Sequence, residues 1–225
     1  MIQRDFNAVI FDMDGVIFDS EKLVVECWVE TAAKYNIPNI EEACAECVGI
    51  NATATREKMK LRYGQDFPYD EYKAEMSALF HIRYGEGRLP MKEGIKELLE
   101  FLKENNIRIA LASSTRREVV TQELKDAGLL DYFDAVICGD MVSKSKPAPD
   151  IFLKAAKSLQ IEPEMCYVIE DSYNGIRAAH SANMRPLMVP DMLPPNKEME
   201  ELSEYILPSL IEVKEYLMAH FFNLC

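Results

Sequence analysis

Positive charge is in short supply in this chain. Its 225 residues hold 25 Lys and Arg against 38 Asp and Glu, a net charge of −13. An acidic surface of this kind disfavours nucleic acid and anionic membranes. It also sets a condition: an anionic substrate would need locally placed cations or a metal. Long apolar runs are missing too, none approaching the ~18 residues needed to span a bilayer. Asp5, Asp12 and Asp14 stand where a signal peptide would keep its apolar stretch. The chain ends in Cys225, but a prenylation box needs its Cys four from the end, where Phe222 stands. A cytoplasmic location is expected, and there the acceptor-like Asn51-Ala52-Thr53 carries no meaning. Histidine is scarce: His81, His180 and His220 show no ligand spacing. The six Cys, at 27, 44, 47, 138, 166 and 225, form no framework. Cys44 and Cys47 make one Cys-x-x-Cys with no second pair near it, so reduced thiols are expected. Internal repeats and low-complexity stretches are absent.

What is present is an ordinary globular composition, 48% hydrophobic and 28% charged. A chain of this length buries roughly 70–75% of its unfolded surface and needs no covalent staples. One large domain or two unequal ones are expected. The most informative segment is Asp12-Met13-Asp14-Gly15-Val16, directly behind the apolar run Ala8-Val9-Ile10-Phe11. Such a run, closed by Asp and Gly, reads as a buried strand opening into a turn. Asp12 and Asp14 then sit at the strand's carboxyl end, where open α/β sheets bind ligands. One carboxylate of the pair can bind a cation and attack an electrophile, and the other can shuttle a proton. The same residues also make an ordinary turn. A calcium loop counted from Asp12 would need Gly at its sixth position and Glu at its twelfth. Ile17 and Leu23 stand there instead.

From about Ser20 to Glu86 the signal is almost wholly helical, with breaks at Gly49 and Asn51 and again at Gly64 and Pro68. Cys27, Trp28, Thr31, Ala32 and Tyr35 follow Ser20-Glu21 at roughly helical spacing, and Tyr69 to Tyr84 reads as another helix. After Gly85, Gly87 and Pro90 the pattern alternates. Helices over 92–105, 116–127, 149–159 and 173–182 lead in turn to strands at 107–112, 135–138, 166–169 and 186–189. A last amphipathic segment covers about 210–222. Right-handed crossovers and a parallel sheet follow. The predicted architecture is α/β, a Rossmann-like core over 1–19 and 88–225 with an all-helical cap inserted over 20–87.

In a parallel sheet every carboxyl end faces one edge. Those ends carry Asp12 and Asp14, then Ser113-Ser114-Thr115-Arg116, then Lys144 and Lys146-Pro147-Ala148-Pro149, then Glu170-Asp171-Ser172. Singly, the hydroxyls could cap a helix, Lys146 could be a solvated surface side chain, and Glu170-Asp171 could mark a helix start. Together they describe phosphoryl chemistry. Clustered carboxylates favour a hard cation such as Mg²⁺, which keeps Asp12 ionised and offsets its repulsion of phosphate. Lys146 adds the second positive charge, and Ser113 or Ser114 can donate to a phosphoryl oxygen.

Asp12-x-Asp14-Gly-Val, Ser113-Ser114, Lys146-Pro-x-Pro and Glu170-Asp171-Ser-x-x-Gly175-Ile resemble the four motifs of the haloacid dehalogenase superfamily, and most resemble its β-phosphoglucomutase-like phosphatases. The likeness covers essentially the whole chain. It implies that Asp12 is the nucleophile and forms an aspartyl-phosphate. Asp14 protonates the leaving alkoxide, deprotonates the attacking water and binds Mg²⁺ through its backbone carbonyl. Ser113 holds the phosphoryl group with the Ser114 backbone nearby, and Lys146 bridges nucleophile and phosphate. Asp171 holds the metal, with Glu170 beside it.

The mutase pattern places a His in the cap hinge, where this chain has Glu21, Lys22, Leu23 and Val24. It also places a Lys and an Arg in the cap, where Val48-Gly49-Ile50-Asn51-Ala52 stands. Arg56 and Lys58 lie one turn on as substitutes. Two missing phosphate contacts, each worth about 1.5–3 kcal/mol, favour hydrolysis over retention of a bisphosphate. The expectation is a Mg²⁺-dependent phosphatase of small phosphomonoesters, with sugar phosphates as one class. A sugar phosphate mutase and a non-catalytic phosphate-binding protein are the alternatives. The expected partner is a small phosphorylated metabolite, with no nucleic acid and no membrane, and the protein is expected to be a monomer. Segments 15–20 and 85–91 read as hinges. Glu21, Lys22, Asn51 and Arg56 are the polar candidates for judging the leaving group.

Overall fold

The computed structural model describes residues 5–47, 50 and 52–222. Six strands form one parallel sheet: β1 (Ala8–Phe11), β2 (Arg108–Ser113), β3 (Ala135–Cys138), β4 (Cys166–Glu170), β5 (Arg185–Met188) and β6 (Tyr205–Ile206), in the order β3-β2-β1-β4-β5-β6. β1 is buried along its whole length, and its side chains alternate between two cores. Val9 and Phe11 join Ile109, Leu111, Tyr167 and Ile169 on one face. Ala8 and Ile10 join Ala110, Ala112, Cys166 and Val168 on the other. That burial on both faces is why these runs read as unbroken apolar stretches.

Between β1 and β2 the chain forms α1 (Glu21–Tyr35), α2 (Ile40–Ala45), α3 (Ala52–Tyr63), α4 (Tyr69–Tyr84) and α5 (Ile95–Glu104). The first four gather their own apolar cluster around Cys27, Trp28, Met59, Phe67, Tyr72 and Met76. Tyr72 packs edge-on against Trp28 at 5.5 Å and donates its hydroxyl to the Trp28 carbonyl at 2.7 Å. α5 instead packs Ile95, Leu98, Leu99 and Leu102 on the sheet, at the i, i+3, i+4, i+7 spacing of a one-faced helix. The remaining helices are α6 (Arg117–Asp126), α7 (Asp150–Leu159), α8 (Tyr173–Ser181), α9 (Lys197–Leu202) and α10 (Leu210–Phe221). None of the described helices is long and apolar enough to cross a membrane.

Two features depart from the sequence reading. The helix predicted from residue 92 starts at Ile95, because Gly94 sits in the left-handed region at φ +87°. The residues before it are engaged elsewhere: Met91 pairs with Phe18, and the Lys92 N–H donates to the Ile17 carbonyl at 2.8 Å. Short α9 and two-residue β6 had no periodicity long enough to read.

Close backbone approach fixes one of the helix positions. A Cβ on Gly175, in the first turn of α8, would overlap the Glu170 carboxylate. Gly175→Ala should therefore destabilise the fold by about 1–3 kcal/mol through overpacking, seen as a lower urea midpoint. An unchanged midpoint would show that Glu170 can move aside.

Candidate active site

The strand order reverses between β1 and β4, the place where open parallel sheets bind ligands. Phe11 is level with Leu111 on one side and Ile169 on the other. The Asp12 N–H extends the pairing by donating to the Ile169 carbonyl at 3.0 Å. Asp12 is thus held between the ends of β2 and β4. Beyond it the chain turns tightly: the Ile17 and Phe18 N–H groups both donate to the Met13 carbonyl. Gly15 takes φ +76°, and a Cβ there would run into the Asp171 carboxylate. That turn therefore packs against the end of β4 in a way only glycine permits.

Lys146 lies at the centre. Its side chain is 1% exposed, and its ammonium donates to Asp12 Oδ1, to Glu170 Oε1 at 2.5 Å and to the Ala112 carbonyl at 3.1 Å. The Phe152 ring lies 5.0 Å below the charge. Burial pulls the lysine pKa down, but Asp12 and Glu170 outweigh it and hold the group above its usual range. Glu170 Oε2 accepts from the N–H and hydroxyl of Ser172, and the Ser172 hydroxyl caps α8 by accepting from the Gly175 N–H. Motif four therefore does start a helix, while its two acidic residues serve the site.

Asp14 is dressed differently. It accepts from the Ser20 hydroxyl at 2.8 Å and the Thr115 hydroxyl at 3.2 Å. Both donors stand beside helix starts, Ser20 as the N-cap of α1 and Thr115 just before Arg116, the N-cap of α6. In neither helix does the N-cap side chain make a cap bond, and at α6 the Arg117 N–H is met by Asp140 Oδ1 at 3.1 Å instead. The hydroxyl cluster after β2 thus serves the site rather than the helix. Ser113 is buried, and its hydroxyl oxygen accepts from the Thr115 N–H at 3.1 Å, leaving its own hydrogen free to donate. The loop after β3 packs on this turn, with the Gly139 N–H donating to the Thr115 carbonyl at 3.0 Å.

Burial raises the Asp12 carboxyl to about 7, opposed by Lys146 and reinforced by Glu170 and Asp14. Burial also raises Asp14, opposed by the Ser20 and Thr115 hydroxyls and by Lys146 and Lys73. Asp171 is held well above the carboxylate range by burial and by the charges of Glu170, Asp12, Glu21 and Asp191. Oxygens of Asp12, Glu170 and Asp171 lie within 4.8 Å of one another. This buried, all-oxygen set with a single ammonium beside it fits a hard divalent cation, which would let all three carboxylates ionise.

The cap candidates are spread out. Glu21 is half-buried, its carboxyl pushed up to about 8 by burial and then by Asp14 and Asp12, while Lys22 is exposed. Arg56 lies on the surface of α3, gripped by Asp70 through Nε at 3.0 Å and Nη2 at 2.7 Å. Lys58 donates to the Glu46 carbonyl at 2.6 Å. Asn51, with Val48 and Gly49, lies outside the described residues. Cys44 and Cys47 are free thiols, and burial pushes Cys44 up to about 12. Two groups escaped the sequence reading. Lys73, in mid-α4, carries no motif, yet its charge is felt at Asp14 and burial lowers it to about 8. Asp191 stands past β5, and reading that fifth strand end as well would have found it.

Residues 9–189 match the family model of the haloacid dehalogenase-like hydrolases, and the chain belongs to that family. It is 34% identical over 186 residues to a phosphorylated carbohydrates phosphatase of Thermotoga maritima, covering 79% of this chain and 82% of that one. It is equally identical over 186 residues to the β-phosphoglucomutase of Bacillus subtilis, covering 79% and 80%. The crystal structure of CbbY from Rhodobacter sphaeroides in complex with phosphate superposes with a TM-score of 0.77 at 27% identity, covering 92% and 96%.

Protonation and metal binding should compete. The Asp12 carboxyl, at 3.8 ordinarily and about 7 when folded, destabilises the metal-free protein progressively as pH rises through that window, and fully above it. Mg²⁺ displaces that proton. Added Mg²⁺ should raise Tm more at pH 8 than at pH 5, and equal shifts would contradict cation binding at this cluster.

Proposed function

We propose that this protein is a Mg²⁺-dependent phosphatase of small phosphomonoesters, sugar phosphates among them, acting through an aspartyl-phosphate. The observation that carries the reading is the unequal equipment of two neighbouring aspartates: Asp12 is paired with a buried ammonium, Asp14 with two hydroxyls. Asp12 attacks phosphorus as the ester P–O bond breaks, and Asp14 gives its proton to the departing alkoxide. Burial favours the protonated form of Asp14 beforehand, and the Ser20 and Thr115 hydroxyls support the carboxylate afterwards. Asp14 then takes a proton from water, whose oxygen attacks phosphorus while the P–O bond to Asp12 breaks. Phosphate leaves and Asp12 is restored. Lys146, Ser113 and the Ser114 backbone hold the phosphoryl oxygens.

Asp12, Asp171 and the Asp14 carbonyl are the groups to hold Mg²⁺. Glu170 stands beside them, its oxygens already serving Lys146 and Ser172. The cation supplies charge neutralisation between nucleophile and phosphate. Residues 20–87 act as a cap on a core of 1–19 and 88–225. The pairing of Asp19 N–H with the Pro90 carbonyl at 2.9 Å ties the two linkers into one hinge. The enzyme acts as a monomer in the cytoplasm.

A mutase is the second reading, favoured by the equal identity to β-phosphoglucomutase. Against it stands Arg56, its guanidinium already held by Asp70.

Phosphate release from a phosphomonoester panel should require Mg²⁺ and stop with EDTA. Asp12→Asn should lower it by roughly four to six orders of magnitude, as loss of a nucleophile does. Metal-independent release, or an active variant, would remove Asp12 as nucleophile. Faster isomerisation of bisphosphate-primed β-glucose 1-phosphate than its hydrolysis would favour the mutase.

A further inference from the structure

The carboxyl end of β5 brings one more carboxylate to this edge. Asp191 follows Met188 by three residues, and its side chain is 3% exposed. Oδ1 pairs with Lys92 at 2.7 Å. Oδ2 is buried and has no hydrogen-bond partner among the described residues. Lys92 also holds Asp19 at 3.0 Å, so one ammonium joins both linkers to the core. A buried carboxylate oxygen left without a donor is costly and calls for an occupant.

The surroundings say what that occupant is. Met188 is level with Glu170 in the sheet, and the Val189 N–H donates to the Glu170 carbonyl at 2.8 Å, so the segment that ends in Asp191 leaves the sheet beside the acidic cluster, where its charge is felt at Asp171 and Glu21. It lies outside the trio whose oxygens converge within 4.8 Å, which rules it out of that ligand set. Mg²⁺ keeps several of its waters, and those waters need acceptors around them.

We propose that Asp191 is a positioning residue for the cation: Oδ2 accepts a hydrogen bond from a water carried by the metal that Asp12 and Asp171 hold. The Lys92 pair occupies Oδ1 and leaves Oδ2 for that water. Asp191 thereby connects the cation to the linker ion pair of Lys92 and Asp19. The inference rests on the Mg²⁺ reading above.

Calorimetric titration of metal-free full-length protein with MgCl₂, without substrate, separates the two. A wild type that takes up no Mg²⁺ overturns the Mg²⁺ reading and this inference with it. Given wild-type binding, Asp191→Asn should weaken Mg²⁺ by about 10-fold to 100-fold with an unchanged circular dichroism spectrum. Lys92→Met breaks the Asp191 ion pair, and the Asp19 pair with it, but leaves Asp191 in place and removes a cation, so it should bind Mg²⁺ more tightly than wild type. Equal affinity in Asp191→Asn overturns the inference alone. Weakening in both variants also overturns it, since linker collapse then explains the loss. If Asp191→Asn does not fold, Lys92→Met decides: tighter binding supports the inference, and equal or weaker binding overturns it.

Discussion

A lysine ammonium buried between two carboxylates is the constraint on which the rest of the structure depends. Lys146 joins the loop after β3 to Asp12 at the end of β1, Glu170 at the end of β4 and the Ala112 carbonyl of β2. A charge this deep is tolerable only when paired and fully hydrogen-bonded. Removing one partner of such a buried pair costs about 3–5 kcal/mol, so fold and chemistry share the interaction. It also answers the problem set by a net charge of −13: the positive charge that an anionic substrate needs is concentrated at one point.

Around that point two aspartates of one strand end are given different environments. Asp12 faces an ammonium and Asp14 faces hydroxyls, a divergence that the proposed mechanism uses to separate attack from proton transfer. The hydroxyls come from helix starts, Ser20 at the N-cap of α1 and Thr115 one residue ahead of the N-cap of α6. α1 begins without a bond from its N-cap side chain, forgoing about 1 kcal/mol, and at the start of α6 the Arg117 N–H is met by Asp140 instead. A local rule broken beside a functional group, with the displaced side chain found on that group, is the pattern expected where function overrides stability.

Legibility from sequence followed the same logic. Ala8–Phe11 and the strand read at 166–169 were legible because strands buried on both faces must be continuously apolar, the edge strand Ala135–Cys138 was legible as a short apolar run between helices, and their carboxyl ends then line up by topology alone. The haloacid dehalogenase-like motifs at those ends held Asp12, Lys146, Glu170 and Asp171 in one cluster. β6, with two residues, was too short to show a period. Ser20 and Thr115 were visible as hydroxyls at helix starts, but their turn toward Asp14 is a tertiary choice. Lys73 reaches the site's field from mid-helix through the packing of α1 against α4, which no spacing announces. Arg56 looked available as a cap cation only because its distance from Asp70, 14 residues along the chain, is closed by the fold.

The central claim is that Asp12 carries the phosphoryl group during turnover. Rapid acid quenching of the Mg²⁺-loaded enzyme with a turning-over phosphomonoester, followed by peptide mass spectrometry, tests it directly. The account predicts the added mass of one phosphoryl group on the peptide holding Asp12, appearing within the first turnover and discharging when substrate is exhausted. Phosphate released with no labelled peptide at any quench time, or a label on Ser113 in place of Asp12, would contradict it.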